Sequence, residues 1–87
     1  MEIWKQELTY KREQVIEIPS YSILSVGEQY GGVAVWFKHD CDGLVKHCVR
    51  ICMTGEELGM GWECARFLGT VMLNGGAFVL HVFVKEG

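Results

Sequence analysis

Three groups of residues in this 87-residue chain could do chemistry. The first is His39, Cys41, His47, Cys48, Cys52 and Cys64, the residue types that bind zinc. Only Cys48 and Cys52 approach the usual C-x₂₋₄-C spacing. On a strand two such residues point the same way but stand about 13 Å apart, too far to share an ion. Small buried thiols account for these cysteines better, so neither a metal nor any other cofactor is expected. The second group is Arg50 with the Thr54-Gly55 turn that follows it. A guanidinium suits planar carboxylate or phosphate, and a turn can offer backbone N–H groups to an anion. With Trp36 or Trp62 as an aromatic plate, these residues would make a site for a small anionic or nucleotide-like ligand. The plainer reading is a solvated sheet-face arginine paired with a glutamate. The third is His81. As a general base it would need a partner carboxylate or nucleophile, and the chain offers only Glu56, Glu57 or Glu63 from a loop. A core or interface histidine bonded to a hydroxyl such as Thr70 is preferred.

Two short motifs carry less. The stretch H-D-C-D-G at 39–43 echoes the start of a calcium loop but lacks the further ligands, and Asp-Gly turn chemistry explains it. There is no G-x-x-x-x-G-K-[ST] and no dinucleotide fingerprint.

Strand signals dominate the elements that must position these residues. Alternation marks strands over 3–10, over 14–18 up to Pro19, and over 22–28. A Gly31-Gly32 turn then leads into V-A-V-W-F-K. The clearest alternation is L-V-K-H-C-V-R-I-C-M, with Val45, Val49, Ile51 and Met53 on one side and Lys46, Cys48, Arg50 and Cys52 on the other; His47 falls with the apolar set. Residues 54–63 hold Gly55, Gly59 and Gly61, which disfavour a helix, and form a long irregular loop of the kind that often carries function.

The chain then closes on a hairpin. Asn74-Gly75 between apolar runs predicts a two-residue type I′ turn, pairing Met72 with Ala77 and Thr70 with Val79. One hairpin face, Phe67, Val71, Leu73, Phe78, Leu80, Val82 and Val84, must be core. The other carries Leu68, Thr70, Met72, Val79, His81 and Phe83 and is also mostly apolar, more than a half-solvated sheet needs. Either the hairpin is central in a small barrel or sandwich, or a second copy of the chain packs there; the second is preferred, so these six residues are the expected interface of a homo-oligomer. The fold expected is a single all-β domain over 1–87. It is a small antiparallel barrel or sandwich of about six to seven strands, closing with the hairpin at Asn74-Gly75.

Composition narrows the partners. Hydrophobic residues make up 49% of the chain, ample for one core, and the formal net charge is −3. The basic residues are scattered, which argues against general nucleic-acid binding. The longest apolar run, Ala77 to Val84, is broken by His81 and falls far short of the roughly 20 residues that span a bilayer. The start M-E-I-W-K-Q-E has no leader character, so a cytoplasmic location with reduced cysteines is expected.

The sequence resembles a small family of uncharacterised phage and prophage proteins. The resemblance rests on Met1, Ile3, Trp4 and Lys5; on Glu13, Gln14, Ile16, Glu17, Ile18 and Pro19; and on Ile23 to Val26. It continues through Arg50, Ile51, Thr54 and Gly55, and ends on Gly69, Thr70, Leu73, Gly75, Gly76, His81, Val82 and Phe83. In that pattern T-G is commonly followed by His, where this chain has Glu56. The resemblance implies expression inside an infected or lysogenic bacterium. The reading that follows is a non-catalytic accessory protein that binds a host component: a defence protein, or a nucleotide-type immune signal. A small hydrolase or nucleotide-modifying enzyme with a histidine base, and a virion structural protein, are the alternatives.

Overall fold

A computed structural model describes residues 1–40 and 43–86. Seven strands run in chain order: β1 (Glu2–Glu7), β2 (Glu13–Pro19), β3 (Ile23–Gln29), β4 (Gly32–His39), β5 (Leu44–Met53), β6 (Arg66–Leu73) and β7 (Phe78–Glu86). They form two antiparallel sheets, one ordered β1-β4-β3 and the other β2-β5-β7-β6. The expected all-β architecture is present, in its sandwich form, because the two sheets do not close into a barrel. Among the described residues no helix is long and apolar enough to cross a membrane. The turn expected at 39–43 includes Cys41 and Asp42, which lie outside the described residues.

The core lies between the sheets. The three-stranded sheet and the segment after β1 supply Leu8, Ile23, Val33, Val35 and Phe37. The four-stranded sheet supplies Ile16, Ile18, Val49, Ile51, Val71, Leu73, Leu80, Val82 and Val84. Ile18, Val35, Val49 and Val82 are fully enclosed, each contributing about 1.5–3 kcal/mol by leaving water. The alternation read from 44–53 holds along β5: Val49 and Ile51 are buried, Met53 packs against the core, and His47 is buried among them. His47 is accommodated because its Nδ1–H donates to the Val45 carbonyl at 2.8 Å. Pro19 ends β2 on a sheet edge, where its missing N–H breaks no ladder.

Three local expectations are corrected. The β3–β4 turn is Tyr30-Gly31, not Gly31-Gly32; both residues have positive φ (53° and 79°), which is the type I′ geometry. The closing hairpin turns through four residues, Asn74 to Ala77, so Met72 pairs with Val79 and Thr70 with His81. The register thus moves by two residues, which keeps every side chain from Thr70 onward on its expected face. Phe67 and Leu68, in contrast, exchange faces. A β-bulge between Phe67 and Gly69 inserts one extra residue, sending Leu68 into the core and leaving Phe67 52% exposed outside.

The outer face of the four-stranded sheet is covered in part by the chain's own 54–65 loop. Arg50 reaches up from β5, donating from Nε to the Leu58 carbonyl and from Nη2 to the Glu57 carbonyl, both at 3.1 Å. Lys85 on β7 donates to the Gly61 carbonyl at 3.2 Å and lies 4.2 Å from the ring centroid of Trp62. Trp62 is buried, and Cys52 is buried beneath the Glu56 carbonyl, 3.4 Å from its sulfur.

Candidate functional site

Neighbouring strands bring His81 to the centre of a small polar and aromatic group on that outer face. Cys52 of β5 and Thr70 of β6 sit directly opposite His81 of β7, and Phe67 sits opposite Phe83. Residues paired across strands share a face, so these side chains emerge together. Thr54, at the start of the loop, comes over them from above. Its Oγ1 lies 2.7 Å from His81 Nε2, while Thr70 Oγ1 lies 3.0 Å from His81 Nδ1. Each ring nitrogen thus has a hydroxyl, which can donate or accept, within hydrogen-bond distance.

Phe67 stands 5.2 Å from Phe83 and 6.5 Å from His81, centroid to centroid, closing one side. Together with Cys52, Thr54 and Leu58 they line a hollow of about 280 Å³. The result is a half-open apolar hollow with the His81 imidazole and the Thr54 hydroxyl in its wall.

Glu56 fixes the start of the loop. Its Oε2 accepts from Arg12 Nε and Nη2 at 3.2 and 2.9 Å, and its Oε1 accepts from the Met53 N–H at 2.8 Å. The Arg12 hydrogen bond, followed by that of Met53, lowers the carboxyl pKa from its ordinary value. A carboxylate at this position thus has structural partners of its own in Arg12 and the Met53 N–H.

Of the residues expected to hold an anion, Arg50, Thr54, Gly55 and Trp62 lie on this side of the sandwich. Trp36 does not: it projects from β4 on the outer face of the other sheet, against Gly27, where an added Cβ would come within 3.3 Å of the indole. Arg50 binds loop carbonyls, Thr54 binds His81, and Gly55 turns the chain at φ +93°. Trp62 gives its ring to Lys85. Of the expected interface residues, Thr70, Met72, Val79, His81 and Phe83 share the outer face, and Leu68 has moved inward. Met72 is 63% exposed at the β6 edge.

The remaining histidine and cysteines are dispersed. His39 lies against Trp4 in a tilted arrangement with centroids 4.3 Å apart, and Cys64 is exposed. Among the described residues no three His, Cys, Asp or Glu side chains gather as a metal-binding set. Sequence reasoning missed Phe67 as a site residue, since its sign depended on the bulge. It also missed the Arg12–Glu56 pair, which joins residues 44 apart.

Fold and site define a two-sheet antiparallel β-sandwich with a loop-clamped, partly apolar outer face. The chain belongs to the family described as Domain of unknown function (DUF7352), whose model matches residues 1–87. No curated protein and no solved structure matches it.

Proposed function

We propose that this is a phage- or prophage-encoded accessory protein that acts inside the bacterial host by binding, not catalysis, through the outer face of its four-stranded sheet. The observation that carries this reading is the exposure of Phe67 and Met72 on the same face as the half-buried Phe83 and His81, a face that the 54–65 loop covers only in part. Apolar patches left beside a polar rim mark contact surfaces. The same face serves a second copy of the chain, making a homo-oligomer, and presents the loop to the host target.

Catalysis is disfavoured because both nitrogens of His81 meet threonine hydroxyls, and among the described residues no carboxylate hydrogen-bonds the ring. Of the two host targets, a defence protein fits better than a nucleotide-type signal. Arg50 would have to leave the Glu57 and Leu58 carbonyls before it could hold a phosphate. The phage provenance rests on the motif resemblance.

Expression of the protein in a host whose defence system restricts a phage should raise that phage's plating efficiency. Phe67→Asp, at an exposed position, should fold normally and lose the effect. Unchanged plating across a panel of defence-carrying hosts would contradict the proposal, as would equal rescue by Phe67→Asp.

A further inference from the structure

The sandwich is open at one end. There the β6–β7 turn, the Tyr30-Gly31 turn, the β1–β2 connection and the end of β5 surround a cavity of about 320 Å³ between the sheets. Its floor is core: Ile51, Leu73 and Leu80 are 2%, 5% and 6% exposed. Phe78 forms one wall. It shares its face with Leu80, Val82 and Val84, all buried, yet Phe78 itself is 45% exposed.

The rim is polar. Tyr10 donates its hydroxyl to the Gly31 carbonyl at 2.9 Å, which ties the β1–β2 connection to the β3–β4 turn at the rim. Arg12 is the one charged side chain among the residues lining the cavity. Its Nε and Nη2 are engaged by Glu56, and Nη2 also lies 3.7 Å from the Met53 sulfur; Nη1 stands outside those bonds.

We infer that this mouth is a binding site for a medium-chain carboxylate, with the apolar chain lying on Ile51, Leu73, Leu80 and Phe78 and the carboxylate meeting Arg12. The cavity size is at the small end for ligand sites, which run from about 300 to 1,000 Å³, and it is enough for a short acyl chain. Arg12 is ion-paired with Glu56 through Nε and Nη2, and Nη1 is left to donate a charge-assisted hydrogen bond, which a carboxylate accepts well. An amphiphile fits both parts at once, covering the exposed Phe78 ring and leaving its head in water. The site lies between the sheets, apart from the outer-face contact surface, and does not depend on it.

The test is a methyl-detected NMR titration of the full chain with sodium octanoate at neutral pH, with octan-1-ol as the uncharged comparison. Octanoate should shift the Ile51, Leu73 and Leu80 methyl signals saturably. Arg12→Gln should weaken octanoate by about tenfold or more, the loss of one charge-assisted contact, while leaving octanol almost unchanged. Because Arg12→Gln also frees Glu56, Phe78→Asp provides a second variant at an exposed position; it sets a like charge at the mouth and should abolish octanoate binding. Absence of saturable shifts at these methyls up to millimolar octanoate would overturn the inference. Shifts confined to other residues, or equal octanoate affinity in the wild type and both variants, would do the same.

Discussion

Arg50 and Glu56 hold the 54–65 loop from its two sides, and each has a measurable consequence. Arg50→Ala removes two hydrogen bonds from a charged donor to the Glu57 and Leu58 carbonyls. Because the guanidinium is only half-buried, the expected loss is about 1–2 kcal/mol, below the full range for charged hydrogen bonds. Urea unfolding should show a lower midpoint with unchanged slope, and amide exchange over 56–62 should quicken. Glu56 acts through pH. Its pKa is lowered in the folded chain, first by Arg12, so it adds stability above its ordinary value of 4.5, and that stability is lost as pH falls through the lowered folded value. The stability gap between wild type and Glu56→Gln should therefore be widest near neutral pH and narrow steadily below about 4.5. A gap independent of pH would show that the carboxylate charge contributes nothing. Sequence placed Arg50 on the outer face correctly, by alternation along β5. Its carbonyl partners were not legible, because the path of a glycine-rich loop is fixed by packing and not by propensity.

At the level of elements, alternation was readable wherever a strand stayed regular and failed where the ladder slipped. Val45, Val49, Ile51 and Met53 could be assigned to one face because β5 runs ten residues without a bulge. Phe67 and Leu68 could not, since one inserted residue reverses every assignment on its far side. Gly69 is the residue that permits this slip. It has φ +156°, and an added Cβ would stand 3.1 Å from Val26 Cγ1 on β3, where the two sheets approach most closely. Gly69→Ala should destabilise the protein by about 1–3 kcal/mol, combining backbone strain with crowding at Val26. Thermal and urea unfolding would measure it. A neutral substitution would mean that the β3–β6 junction yields freely. The hairpin turn failed for a related reason: Asn74-Gly75 do adopt positive φ, but Gly76 does so as well, and the longer turn shifts the pairing.

For the whole molecule, the sequence posed a question of surplus apolar surface: the closing hairpin is apolar on both faces. One face is the core. The other is divided between the chain's own loop, with Trp62 and Leu58 pressed down by Arg50 and Lys85, and an uncovered strip along β6 that carries Phe67, Thr70 and Met72. That division could not be read from the sequence, because residues 54–65 have no periodic pattern to announce where they dock. It concentrates the proposed contact surface at the β6 side of the sheet. Native mass spectrometry of freshly purified protein under reducing conditions tests this most directly, with wild type and Met72→Asp side by side. The account predicts a discrete homo-oligomer for the wild type and a folded monomer for Met72→Asp. A bare wild-type monomer, or an oligomer that survives Met72→Asp, would contradict it.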